Sequence, residues 1–142
     1  ATQEKLLRAV LISDLITIHQ KTGIGRLSAF CGATSAGIGA ACGIAWLDGG
    51  DYEVIAHTIV NGLAILSGMV CDGAKPSCAA KIATAVRNGL LGYQMYRQGC
   101  QFYGGDGIVT KGVENTIANV GRLANRGMRS TDCEILNIMI GN

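Results

Sequence analysis

Residues 27–47 form a run of 21 residues without a single charge, and most of them are small. The run holds four Gly, six Ala, three Ser or Thr and two Cys beside only six large apolar residues (Leu27, Phe30, Ile38, Ile44, Trp46 and Leu47). Its length would cross a bilayer, and Gly39 and Gly43 make a Gly-x-x-x-Gly pair. Membrane insertion, however, draws on Leu, Ile, Phe and Val, which are scarce here. A membrane hairpin over 27–69 is therefore the weaker reading. The stronger one is a helix buried within a helical bundle, where missing side chains let backbones approach closely. The habit runs through the whole chain, in which 21 of 142 residues are Gly and 17 are Ala.

A hydrophobic content of 49% with 15% charged residues and a net charge of +2 excludes a disordered chain. The glycines follow no three-residue period and sit among Ala, Ile and Leu, so neither collagen nor a flexible linker fits. The charge is too small for a nucleic-acid footprint. The densest basic group, Arg122, Arg126 and Arg129, reads as the solvated face of one helix and the turn after it. The length suits one domain over 1–142. No signal peptide is evident, so the six cysteines read as thiols in a reducing, cytoplasmic compartment rather than as disulfides. The opening Ala1-Thr2-Gln3-Glu4, without Met, suggests the C-terminal part of a longer chain or a processed terminus.

Hydrophobic spacing predicts an all-α fold, a compact bundle of about six helices with two nearly uncharged central ones. The first covers 2–20, with Leu7, Leu11, Leu15 and Ile18 as its inward stripe, widened by Leu6 and Val10. The small-residue helix covers 33–47. A third covers 51–69, capped by Asp51, with Val54, Ile55, Ile59, Leu63 and Leu66 on one face. A fourth, opening at Pro76, runs to 98 with Ile82, Val86, Leu90 and Tyr93 inward. A fifth over 111–125 turns Val113, Ile117, Val120 and Ala124 inward. Thr131 and Glu134 predict a capping box for a last helix to 139. No strand and no internal repeat is evident.

Three cysteines make the strongest chemical constellation. Cys31 precedes the small-residue helix, and Cys71 and Cys78 bracket a polar loop between the third and fourth helices. An antiparallel pairing of the second and third helices would bring Cys31 to that loop, beside two helix N-termini whose partial positive charge favours thiolates. The spacing matches neither zinc patterns nor common ferredoxin runs, so spacing alone leaves a metal site and three small buried hydrophobes both open. Three ligands rather than four would mark a site with an open coordination position.

The segments 26–43 (RLSAFCGATSAGIGAACG), 68–79 (GMVCDGAKPSCA), 106–109 (DGIV) and 121–128 (GRLANRGM) resemble the C-terminal part of the serine dehydratase alpha chain / L-cysteine desulfidase family, which also takes in a group of uncharacterised proteins. The likeness covers nearly the whole chain. It implies an oxygen-labile [4Fe–4S] cluster held by Cys31, Cys71 and Cys78, with one iron left free for substrate. In such lyases the cluster acts as a Lewis acid on L-serine or L-cysteine. A base removes the Cα proton, hydroxide or sulfide leaves, and the aminoacrylate hydrolyses to pyruvate and ammonia. The desulfidase branch is thought to draw its base from an N-terminal cysteine that no residue here matches. The resemblance thus implies a chain that binds the cluster but is inactive alone, with the N-terminal part of the enzyme as its partner. An apolar surface where that part docks is expected, with homodimerisation as its other use. The Asp72-Gly-Ala-Lys75 loop favours the desulfidase branch, again by resemblance.

Lys75 and Ser35 are the candidate substrate contacts, Lys75 through a carboxylate and Ser35, with Thr34, through hydrogen bonds. Loop solvation and helix-cap roles compete with these. Asp72 reads as a cap for the fourth helix. Gly104-Gly-Asp-Gly107 reads as a tight turn. His57 reads as a core histidine without an acidic partner, and His19 as a favourable charge near a helix C-terminus. Cys42 reads as packing, and Cys100 and Cys133 as free thiols. The glycines of 32–43 are expected to bring Cys31 toward Cys71 and Cys78 and to expose backbone amides there. The other reading of the whole chain is a non-catalytic all-α assembly module whose cysteines are free or hold zinc.

Overall fold

The computed structural model describes residues 1–141. It holds six α-helices: α1 (Gln3–Ile24), α2 (Ala33–Leu47), α3 (Tyr52–Ile65), α4 (Ser77–Arg97), α5 (Val113–Arg122) and α6 (Arg129–Ile140). A π-helical segment, Leu123–Gly127, joins the last two. No strand forms among the described residues. One isolated antiparallel bridge pairs Phe30 with Val70.

α2 is the central helix, packed chiefly between α1 and α4 and also against α3. Its glycines make that possible. A methyl on Gly43 would lie 2.6 Å from the Ala9 carbonyl oxygen of α1, and one on Gly39 would collide with Ser13 and Thr17 of the same helix. On the other side, a methyl on Gly37 would overlap the backbone of Ala85 in α4. Gly89 of α4 answers it, since its own Cβ would fall 2.6 Å from the Gly37 oxygen. The glycines therefore serve helix crossings on two faces. Gly37, Gly39 and Gly43 are taken up by these crossings, and of the glycines of 32–43 Gly32 is the one at the cysteine cavity.

The face of α1 is reversed as well. Leu7, Leu11, Leu15 and Ile18 point outward, and Ala9, Gln20 and Ile24 are the buried residues. Small side chains win the inward side because only they let α1 reach the glycines of α2. In α4 the same rule buries Ala85, Asn88, Gly89 and Gly92 with Tyr93, while Ile82 is exposed. α5 follows its pattern, with Ile117 and Val120 buried and Ala124 continuing that face into the π segment. The core gathers Ile24, Phe30, Ile38, Ile59, Leu63, Ile117 and Val120.

Boundaries shift where hydrogen bonds intervene. Asp51 caps α3 through the Val54 amide (3.2 Å), as expected. α3 stops at Ile65 rather than 69, because Met69 and Val70 turn to meet the segment before α2. The predicted Thr131 cap does not form. The Met128 amide reaches back to the Leu123 carbonyl at 2.9 Å, so α6 starts at Arg129 and takes Thr131 and Glu134 inside it. Two buried asparagines bind the α3–α4 crossing. Asn88 Nδ2 donates to the Gly62 carbonyl (2.9 Å), and Asn61 Nδ2 donates to the Gly92 carbonyl (3.0 Å). Asn61 Oδ1 also accepts the Phe102 amide at 3.1 Å, fastening the loop after α4. No helix among the described residues is long and apolar enough to cross a membrane.

Candidate metal centre

The Phe30–Val70 bridge builds the site. The Cys31 amide donates to the Met69 carbonyl at 2.9 Å, and the Cys71 amide donates to the Ala29 carbonyl at 2.6 Å. Side chains alternate along such extended segments, so Cys31 and Cys71 share the face opposite Phe30 and Val70. Phe30 is buried in the core and anchors that register. Cys78 arrives from the first turn of α4, where the Lys75 amide donates to its Sγ (3.4 Å) and its thiol faces the Gly73 carbonyl (3.5 Å).

All three cysteines line one cavity of about 410 Å³, with Gly32, Ala33, Ala36, Gly73, Ala74, Lys81 and Ile82. Cys31 is buried, and Cys71 and Cys78 are half-buried. The starts of α2 and α4 meet here, and neither has a side-chain cap. Their partial positive charge lies beside the cavity, although the Thr34, Cys78 and Ala79 amides already donate to the Cys31, Lys75 and Pro76 carbonyls. Among the described residues, no three Cys, His, Asp or Glu side chains stand close enough to hold a single metal ion.

Lys81 is the residue that the sequence reading missed. It lies one turn beyond Cys78 on α4, and its ammonium donates to the Val70 carbonyl (3.0 Å) and to the Asp72 carboxylate. Asp72 holds Lys81 above the ordinary lysine range, and the fields of Cys31 and Cys78 add to this. Lys81 in turn holds the Asp72 carboxyl below its ordinary value, with Lys75 contributing. Asp72 is therefore an ion-pair partner and does not cap α4. The signal available in the sequence was the Cys78-to-Lys81 spacing, which puts both on one helix face.

The other candidates lie elsewhere. Lys75 is exposed on the loop and is not among the residues that line the cavity. Ser35 is fully buried, does not line the cavity, and its hydroxyl has no partner; the same holds for Thr34. His57 stacks on Tyr96 with ring centroids 4.4 Å apart, and an acidic partner does stand near it, Glu53 at 3.8 Å. His19 meets Glu114 at 2.7 Å and ties α1 to α5. The Gly104 loop is a tight turn closed by the Asp106 carboxylate on the Tyr103 amide (2.6 Å). Burial pushes the Cys42 thiol up to about 12, whereas Cys100 and Cys133 are exposed and do not line the cavity.

Fold and site together define an all-α domain with a three-thiol pocket at the meeting of two helix starts. The model of the serine dehydratase alpha chain matches residues 1–137, and the chain belongs to that family. A UPF0597 protein of Desulfitobacterium hafniense is 67% identical over 138 residues, which are 97% of this chain and 32% of that relative. UPF0597 proteins of Lachnoclostridium phytofermentans and Treponema denticola are 53% and 50% identical over 96% and 98% of this chain, and it covers 33% and 32% of them. The chain thus spans about a third of the length of the curated relatives it matches. No solved structure matches it.

Proposed function

We propose that this chain is the cluster-binding portion of a [4Fe–4S]-dependent amino-acid lyase, with Cys31, Cys71 and Cys78 as the ligands. The observation that carries the reading is the convergence of these three thiols, from separate chain segments, on one cavity. The donor set fits the group. Three cysteine thiols on one wall are the donor type that iron–sulfur clusters take. The uncapped helix starts suit its negative charge. Membership of the serine dehydratase alpha chain family points the same way.

When bound, the cluster would supply an iron that polarises the leaving group of the substrate. The chain's own residues do the rest of what is proposed here. The bridge amides of Cys31 and Cys71 fix two ligands, and the Lys75 amide donates to the sulfur of Cys78. Lys81, held by Asp72 and Val70, opposes the negative charge of the thiolates. Lys75, exposed on the loop between Cys71 and Cys78, is the proposed contact for the substrate carboxylate. The proposed source of the base for the Cα proton is the N-terminal part of the enzyme, as the family resemblance implies. The substrate is L-cysteine, with L-serine as the alternative. Elimination releases sulfide or water, and hydrolysis of the remaining aminoacrylate consumes a water and yields pyruvate and ammonia. The proposed compartment is the cytoplasm, where such thiols stay reduced.

The test is anaerobic reconstitution with iron and sulfide. Brown protein with about four irons per chain is expected, and Cys71→Ser should lose both colour and iron. Colourless, iron-free protein would instead favour an assembly module.

A further inference from the structure

α1 carries large apolar side chains on the face turned away from the bundle. Leu7, Leu11, Leu15 and Ile18 are 56–63% exposed, and Leu6 and Val10 are about half exposed. The opposite face is already committed, since Ala9, Ser13 and Thr17 meet Gly39 and Gly43 of α2. A helix at a protein surface is polar on its outer side, whereas one that is apolar all round is buried all round. A contiguous stripe of this kind marks an interaction surface. The relatives carry this helix inside a match that takes up only about a third of their length.

We propose that the outward face of α1 is the surface onto which the remaining two thirds of the longer protein packs, through an aliphatic helix or sheet face of that region. Six side chains at about half exposure fall short of the ~800 Å² per partner that stable complexes bury, which argues against a second copy as the occupant. Asp14 lies between Leu11 and Ile18, so the occupant brings a basic or polar group opposite it. The proposal rests on family membership and not on the lyase reading, so either can fail alone.

Alkylation of introduced thiols tests it. Leu11→Cys and Leu15→Cys are made separately in this chain and at the equivalent positions of the full-length Desulfitobacterium relative, with Ala9→Cys as an inward control. Iodoacetamide labelling is followed by mass spectrometry of the α1 peptide. The outward thiols should label fast in this chain and about 100-fold more slowly in the full-length protein at every concentration, while the Ala9→Cys thiol labels slowly in both. Fast outward labelling in the full-length protein overturns the proposal. So does protection that appears only as protein concentration rises, which would assign the face to a second copy. Should the Ala9→Cys thiol label fast in this chain, the full-length rates decide alone.

Discussion

Cys31 and Cys71 are held beside each other by a pair of backbone hydrogen bonds, one from each cysteine's own amide, to Met69 and Ala29 respectively. The residues between those bonds, Phe30 and Val70, form the bridge itself. Phe30 is buried among Ile24, Ile38 and Leu63, so the core sets the spacing of the two thiols. Phe30→Ala should cost about 3–5 kcal/mol, read as a lower denaturant midpoint, and should also weaken iron retention. Loss of stability with iron content unchanged would separate the core from the site.

The α2–α4 crossing depends on Gly37. A methyl there overlaps the Ala85 backbone, which has no flexible end to move aside. Gly37→Ala is expected to destabilise by about 1–3 kcal/mol. Gly68→Ala has nothing within 4 Å of the added methyl and should stay within about 0.5 kcal/mol of the parent. Thermal melts of the two variants compare them directly.

Cys42 should be inert in the folded protein. Its thiol is pushed up to about 12 by burial in the core, so little thiolate exists near neutrality. Alkylation at about pH 8 should modify the exposed Cys100 and Cys133 and leave Cys42 untouched until denaturant is added. The unfolded thiol ionises from about pH 9 while the folded one stays neutral, so stability falls as pH rises through that range. Rapid labelling of Cys42 without denaturant would contradict its placement.

Lys81 stands in the field of Cys31 and Cys78. Lys81→Met removes that positive charge and leaves Asp72 and the Val70 carbonyl without their donor. In the reconstituted protein the reduction potential should move to more negative values, because electron uptake loses a neighbouring cation. An unchanged potential, measured by anaerobic titration, would place Lys81 outside the influence of the site.

Much of this architecture is legible in the sequence, and the failures share a cause. α2 appears over 33–47 as the run of small residues predicts, because only a buried helix tolerates so few charges and so many glycines. The convergence of Cys31 with the 71–78 loop also follows from helix order. Periodicity, however, reports that an apolar stripe exists and not which side it faces. In α1 the leucines form the conspicuous stripe, yet Ala9 and Ser13 are the side chains short enough to reach Gly43 and Gly39. The bridge at Phe30 and Val70 spans one residue pair, too short for any period to show. Lys81 was hidden because its role depends on Asp72, nine residues away, turning back from the loop.

Three particular thiols out of six, Cys31, Cys71 and Cys78, are the proposed cluster ligands. Anaerobic reconstitution of the parent and of Cys31→Ser, Cys71→Ser, Cys78→Ser and Cys133→Ser, with iron and sulfide counted per chain, tests that assignment directly. About four irons are expected in the parent and in Cys133→Ser, with loss of the intact cluster in each of the other three. Full iron in any of those three, or loss in Cys133→Ser, would contradict that assignment.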